Sequence, residues 1–174
     1  MNLIFANLVT TNRDAFLNKV IEVSGRLSVD PNWLMAVMYK ESRINHRAVN
    51  STGGATGLIQ FMPATAIGLG TTTSALLNMS NVEQLDWVQK YFWNYRGRMK
   101  SYVDMYLVTF FPIALGKPDD WVMQTSTLSA QLIARQNPGI NQNAAGVITV
   151  ATFAAYCYKG FSQDVIEILK KKRI

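Results

Sequence analysis

The sequence has little of the side-chain chemistry that most catalytic sites use. Its 174 residues include one cysteine, Cys157, and one histidine, His46. A single cysteine excludes an intramolecular disulfide and a cysteine-based zinc site, and a single histidine disfavours a histidine-rich metal centre and a Ser-His-Asp triad. Carboxylate chemistry remains. The chain contains only four glutamates: Glu22, Glu41, Glu83 and Glu167.

Charged residues and long apolar runs are also scarce. Charged residues make up 16% of the chain, with a net charge of +6, and 49% of residues are hydrophobic, which favours a folded domain over disorder. The most apolar stretch, residues 102–115, contains Asp104 and Pro112. It is shorter than the roughly 20 apolar residues that cross a bilayer, so it predicts a buried helix. Residues 1–9 lack the basic start and the cleavage site of a signal peptide.

Helix start signals recur along the chain, whereas strand-like alternation does not, so we predict an all-α or mainly α fold. Asn12 and Gly25 are interpreted as the start and end of a first helix, and Asp30 followed by Pro31 as the start of a second. Further starts are predicted at Pro63, Ser80, Ser101, Thr149 and Ser162.

No linker divides the sequence, so residues 1–174 are predicted to form one domain. Residues 119–174 are its C-terminal helical part, and the stretch 119–137 gives no clear signal for a helix or a strand.

Glu41 occupies an unusual position for a charged residue, because Val37 and Met38 precede it by one turn on the apolar stripe of its predicted helix. Burial against apolar groups raises the pKa of a carboxyl group and keeps it protonated near neutrality, as a general acid requires. The alternative is a glutamate at a helix end that reaches solvent or pairs with Arg43 or Arg47.

A flexible polar loop follows this glutamate. Residues 50–57 are small, polar and rich in glycine, which allows the backbone to approach a ligand closely. Gln60 then supplies a donor and an acceptor suited to sugar hydroxyl or N-acetyl groups. An ordinary connection between two helices is the alternative interpretation.

Together, Glu41-Ser42, residues 45–49 and the run Gly-Leu-Ile-Gln-Phe-Met-Pro-Ala-Thr-Ala at 57–66 resemble the soluble lytic transglycosylases and goose-type lysozymes of the lysozyme-like superfamily. The specific region spans residues 31–70. The resemblance implies a helical lysozyme-like domain with a cleft for peptidoglycan glycan strands. Glu41 would protonate the glycosidic oxygen and then deprotonate the muramyl 6-hydroxyl, giving a 1,6-anhydro product.

The resemblance also implies substrate-binding residues around this acid. Ser42 would orient the acid or contact substrate, and the segment 58–61 would line the subsite next to the scissile bond. These residues are Ser42, Leu58, Ile59, Gln60 and Phe61. The family's later Ala-Tyr-Asn motif corresponds here to residues 106–112, which lack the asparagine. Tyr102, Tyr106 and Tyr156 are candidates for an aromatic residue that holds the acid, with core packing as the alternative for each.

The type of reaction depends on a second carboxylate. Hydrolysis by two carboxylates needs a second acid across the bond, and Asp86 is the remaining candidate once Glu83 is assigned to a helix cap. A lone glutamate favours the transglycosylase route. The alternatives are a hydrolytic goose-type lysozyme and a non-catalytic module that binds cell wall or forms part of a virion.

No metal or cofactor is expected. Residues 141–149 have the outline of a calcium-binding loop, but no acidic residue occupies the ligand positions. The basic run 170–173 is interpreted as a solvated tail, so no specific nucleic-acid binding is expected. Without a signal peptide, we expect a cytoplasmic product that reaches the periplasm or wall through a holin, a secretion machine or a phage tail, and hence a phage or prophage origin.

Overall fold

The computed structural model describes residues 2–140 and 145–171. Within them the chain forms the following α-helices: α1 (Arg13–Leu27), α2 (Pro31–Ser42), α3 (Pro63–Leu69), α4 (Thr73–Asn78), α5 (Asn81–Phe92), α6 (Tyr102–Phe110), α7 (Ala130–Gln136), α8 (Val150–Tyr158) and α9 (Gln163–Lys170). Extended pairing in these residues is limited to isolated bridges. The prediction of an all-α or mainly α fold is confirmed.

Local capping chemistry explains most helix starts. The Asp30 carboxylate accepts a hydrogen bond of 2.8 Å from the backbone N–H of Asn32, which begins α2. Ser80 and Glu83 form the predicted reciprocal capping box at α5. The Ser101 side chain accepts from the Asp104 N–H at the start of α6, and Thr149 forms a second capping box with Thr152 at α8. These starts, and those of α3 and α9, confirm the predictions from the sequence.

The first helix differs from its prediction at both ends. Gly25 does not end α1, which continues to Leu27 and is closed by Ser28 in the left-handed region with φ of 58°. The Asn12 side chain does not cap the helix either. It donates instead to the Asn81 side-chain oxygen at 3.2 Å and so ties α1 to α5.

Two further helices carried no prediction, α4 and α7, the latter within the stretch that gave no clear signal. The apolar run 102–115 is helical only to Phe110 and continues as a 3₁₀ turn over Pro112–Ala114. No helix in the two described ranges has both the length and the apolar character needed to cross a bilayer. Residues 141–144 of the calcium-type loop, and Lys172 and Arg173 of the basic run, lie outside the described residues.

Helix α2 lies at the centre of the fold and packs against α1, α6 and α9. Residues 33–38 are all buried, and the Trp33 indole N–H donates to the Leu169 carbonyl of α9 at 3.1 Å. Because neighbours from both halves of the chain surround α2, its C-terminal end is held firmly where it emerges from the core. Glu41 lies at that end.

Candidate active site

Glu41 is the last residue but one of α2, and its side chain leaves the core at the floor of a cleft. Val37 and Met38, one turn earlier, are fully buried, whereas Glu41 is partly exposed. Arg43 and Ile44 then adopt left-handed backbone conformations, with φ of 56° and 61°. This reversal turns the chain away from the helix axis, so the backbone does not cover the carboxyl group.

Two cavities meet at Glu41. The larger has a volume of about 440 Å³ and the smaller about 270 Å³. Glu41, Phe110 and Asn137 line both cavities. In the described part of the chain, no other carboxylate lines either cavity. The arrangement is a groove with one acid midway along it.

Burial dominates the electrostatics of Glu41. It raises the pKa of the Glu41 carboxyl group from 4.5 to about 7, against the opposing effects of a hydrogen bond from Tyr106 and the nearby charge of Lys40. The Tyr106 hydroxyl therefore serves as donor, since its own pKa is raised well above the usual value by burial and by the glutamate. A pKa near 7 allows this group to give up and to take back a proton at neutral pH.

Lys40 borders the smaller cavity and fixes its wall. Its ammonium group donates to the Lys159 carbonyl at 3.1 Å and the Tyr156 carbonyl at 3.4 Å, both at the C-terminal end of α8. It also lies 4.5 Å from the centre of the Tyr156 ring. The Tyr106 and Tyr156 rings stack beside it at 6.5 Å between centres. The lysine thus joins the helix that carries the acid to the helix that carries Tyr156.

The loop after α2 forms the opposite wall. Thr56 forms isolated bridges with both Val49 and Phe61, which fold the glycine-rich segment back on itself. Gln60 lies in the left-handed region with φ of 53°, and its Nε2 donates to the carbonyls of Gly57 and Ala48 at 3.1 and 3.3 Å. Both partners of the amide nitrogen are acceptors, so the side-chain oxygen is the group that Gln60 offers to the larger cavity.

A buried amide from α5 holds this loop in place. The Gln84 side-chain oxygen accepts from the Leu58 N–H at 3.0 Å, and its Nε2 donates to the carbonyls of His46 and Leu76, each at 2.7 Å. Gln84 is fully buried, and a Cβ added to Gly57 would lie 2.5 Å from its oxygen. The glycine at 57 is therefore required by the close approach of Gln84, as well as by its own φ of 82°.

The predicted site residues divide into three groups. Ile59, Gln60 and Phe61 line the larger cavity with Glu41. Tyr106 and Tyr156 line the smaller one. Ser42 and Leu58 are buried behind the surface, where the Ser42 hydroxyl lies 2.9 Å from the Leu58 carbonyl.

Two alternatives from the sequence can be placed as well. Asp86 forms an ion pair of 2.8 Å with Lys19 of α1 and lines neither cavity, so it does not supply a second carboxylate to the groove. Tyr102 is fully buried, and its hydroxyl donates to the Cys157 carbonyl at 3.2 Å, which places it in the core.

Several cleft residues carried no prediction. They are Lys40, Tyr91, Thr109 and Asn137. Asn137 is notable because it brings an amide to the glutamate from α7, although residues 106–112 lack one. Its Nδ2 donates to the Ile133 carbonyl at 2.8 Å, which leaves its side-chain oxygen available to the groove. The only sequence signal for Asn137 is a polar residue before a proline, which is too common to point to a cleft.

Comparison with known families agrees with this geometry. Residues 18–89 match the family model described as the transglycosylase SLT domain. The matched segment contains Glu41, the loop over residues 50–61 and Gln84, and thus the larger part of one wall of the groove. No curated protein and no solved structure gives a significant match to the chain.

Proposed function

We propose a specific reaction for this chain on the basis of residues 18–89, which match the transglycosylase SLT domain family, whose members cleave peptidoglycan. It is the non-hydrolytic cleavage of the β-1,4 bond between N-acetylmuramic acid and N-acetylglucosamine. Glu41 acts first as the acid and then as the base, and the product carries a 1,6-anhydromuramyl end.

One observation carries the proposal: a single carboxyl group with a pKa of about 7 lies where two cavities meet. A glycan strand in the groove would extend into both cavities and place one glycosidic bond beside this group. Because the acid is midway along the groove, sugars on both sides of the bond would contribute binding energy that can favour the transition state.

The reaction has two proton transfers at the same carboxyl group. Protonated Glu41 donates its proton to the glycosidic oxygen as the bond to C1 of the muramyl residue breaks, and the N-acetylglucosamine leaves with a new hydroxyl group. The Glu41 carboxylate then takes the proton of the muramyl C6 hydroxyl while that oxygen bonds to C1. Glu41 ends protonated, as it began, and no water is consumed.

Two amide oxygens are suited to hold the sugar during these steps. The side chains of Gln60 and Asn137 each use their nitrogen on backbone carbonyls and offer an oxygen to the groove. Such an oxygen accepts from a sugar hydroxyl or from the N–H of an N-acetyl group. The partly exposed aromatic rings of Tyr91 and Phe110 supply apolar surface for the pyranose faces.

Hydrolysis is the second candidate reaction, and it would need a water molecule in place of the C6 hydroxyl. The absence of a second carboxylate among the described residues of the groove favours the intramolecular route, because no other strong base is present there to activate water. The net charge of +6 favours approach to an anionic wall under either reaction.

The test is digestion of purified peptidoglycan sacculi by the wild type and the Glu41→Gln variant, with mass spectrometry of the soluble products. We expect anhydro-muropeptides from the wild type and at least a 100-fold lower yield from the variant. Glu167→Gln is the matched control, because Glu167 is exposed on α9 and away from both cavities.

Each other result points to a different function. Products with reducing ends that depend on Glu41 would replace the transglycosylase with a lysozyme. Sedimentation with sacculi and no release of products by the wild type, across pH and salt, would reject an enzyme and support a wall-binding module.

A further inference from the structure

The ion pairs among the described residues are unevenly distributed. All ion pairs found within residues 2–140 and 145–171 involve α1, which neutralises that side of the molecule. In the same ranges, Arg96, Arg98 and Lys117 form no ion pair, and all three are exposed. Their charge is therefore directed to solvent, from the segment between α5 and α6 for the two arginines and from just beyond the 3₁₀ turn over Pro112–Ala114 for Lys117.

Aromatic and aliphatic side chains accompany these cations. The Arg96 guanidinium carbon lies 4.3 Å from the centre of the Trp93 ring, and that of Arg98 lies 5.8 Å from the centre of the Tyr95 ring. Ile113 is 57% exposed and Trp93 is 40% exposed. We call this set the basic aromatic surface, defined by Trp93, Tyr95, Arg96, Arg98, Ile113 and Lys117.

A shallow depression forms its centre. It has a volume of about 400 Å³, with Arg98 and Lys117 as its charged residues and an apolar floor that includes Ile113 and Leu115. No acidic residue within 2–140 or 145–171 lines it. Three acidic residues lie near these cations in the sequence. Asp104 accepts a hydrogen bond of 2.7 Å from the Lys100 N–H, and Asp119 and Asp120 are exposed two and three residues after Lys117.

We propose that the basic aromatic surface binds the surface of an anionic lipid bilayer. Arginine and lysine attract anionic headgroups, a tryptophan is suited to the membrane interface, and an exposed isoleucine gains free energy by entering the boundary of the acyl chains. A soluble polyanion would engage the cations but would leave Ile113 in water. The combination of exposed isoleucine, tryptophan and unpaired cations therefore favours lipid over nucleic acid or an anionic wall polymer.

This surface is separate from the groove. None of its residues lines the two cavities that meet at Glu41. Tyr95 lies one turn beyond the cleft residue Tyr91, so the surface begins where one wall of the groove ends. Bilayer binding would hold the groove close to the membrane-proximal layer of its substrate without occupying it.

The experiment is co-sedimentation of the purified protein with vesicles of equal parts phosphatidylglycerol and phosphatidylcholine, and with vesicles of phosphatidylcholine alone. We expect binding to the anionic vesicles only. Each cation near such a surface contributes about a fivefold factor to partitioning, so the double variant Arg98→Glu, Lys117→Glu should bind at least about tenfold more weakly.

Matched variants distinguish binding at this surface from a general effect of net charge on vesicle binding. The double variant Arg47→Glu, Arg135→Glu makes the same change in net charge at exposed positions outside the surface, and we expect less than a twofold effect. Ile113→Ser should weaken binding severalfold, whereas Ile21→Ser, an exposed position on α1, should not.

Three results would overturn the proposal: no binding to anionic vesicles, equal weakening by the two double variants, or no effect of Ile113→Ser. Retention on DNA that depends on Arg98 and Lys117 but not on Ile113 would assign the surface to a polyanion instead. Release of muropeptides by these variants is measured in parallel, and loss of vesicle binding with release intact distinguishes this proposal from the proposed catalytic function.

Discussion

Lys40 and Glu41 are consecutive residues of α2, yet their side chains serve different parts of the fold. The Lys40 ammonium group donates to the Lys159 carbonyl beyond the end of α8 at 3.1 Å, whereas the Glu41 carboxyl group opens at the junction of two cavities. The cation is close enough to lower the pKa of the carboxyl group but is held away from it by its own hydrogen bonds. The acid thus keeps a raised pKa beside a positive charge.

The reaction proposed for Glu41 should depend on pH through the pKa of this carboxyl group, which is about 7. Because the protonated form begins the reaction, we expect the rate of muropeptide release to fall as pH rises through about 7. Lys40→Met removes a charge that favours the carboxylate, so the pKa of Glu41 should rise. The alkaline limb of the pH–rate profile, where the rate falls, should then move to higher pH. The control Lys159→Met makes the same charge change at an exposed position and should leave the limb in place. If Lys40→Met moved the alkaline limb to lower pH, Glu41 would not be the group whose protonation limits the rate.

Tyr106→Phe tests the hydrogen bond to the acid. The hydroxyl group stabilises the carboxylate and lowers the pKa of Glu41, so its removal should raise that pKa and move the alkaline limb upward, with a lower maximal rate. Tyr102→Phe is the comparison, since it removes a neighbouring buried hydroxyl that donates to the Cys157 carbonyl. We expect that variant to lose about 1 kcal/mol of stability without a change in the limb.

Glu41 should also affect stability in a way that depends on pH. Its folded-state pKa of about 7 exceeds the ordinary value of 4.5 for a glutamate, so between these values the folded state binds more protons than the unfolded state. Stability therefore falls as pH rises through this window. Glu41→Gln removes the effect, and above pH 7 the variant should be more stable than wild type by about 3 kcal/mol. Urea unfolding at pH 4 and pH 8 measures the difference, which should vanish at the lower pH.

The buried amide of Gln84 should be costly to remove. Gln84→Leu leaves the Leu58 N–H and the carbonyls of His46 and Leu76 without their partner, so we expect a loss of at least about 3 kcal/mol. Gln89→Leu makes the same change five residues later on α5, where the side chain accepts a long, exposed bond of 3.3 Å from Arg26. A cost below about 0.5 kcal/mol is expected there. Similar denaturant midpoints for the two variants would refute the role assigned to Gln84.

The same substitution at two glycines should have opposite effects. Gly25 lies inside α1 with nothing within 4 Å of an added Cβ, so Gly25→Ala should raise stability by about 0.5 to 1 kcal/mol. Gly57 has φ of 82° and faces the Gln84 oxygen, so Gly57→Ala should lower it by more than about 1 kcal/mol. Thermal unfolding of both variants provides the measurement.

The fold could be predicted wherever the signal is local. The caps at Asp30, Ser80, Ser101 and Thr149 require only side chains within three residues, and the structure has each of them. The end of α1 could not be predicted in this way. The conformational freedom of glycine favours a helix end at Gly25. Leu27 is buried in the core, however, so the helix continues past Gly25 and Ser28 adopts the left-handed conformation.

The candidate site shows the same limit. Glu41 and Gln60 lie in a short stretch whose motif can be read from the sequence, and the structure brings both to one cavity. Lys40, Gln84 and Asn137 act through contacts with helices distant in sequence, which no local pattern records. The roles assigned to the site residues, and the route by which the protein reaches its substrate, stay predictions.

The hydrogen bonds of Gln84 also set the smallest part of the chain that can be transplanted. The recognisable motif ends near residue 70, but the Leu58 amide behind it is held by a side chain from α5. A graft of residues 31–70 onto another helical scaffold would carry the acid and leave the loop without its anchor. The smallest segment that keeps the geometry of the candidate site therefore extends at least to Gln84, and a designer who stops at the motif would transfer a sequence without that geometry.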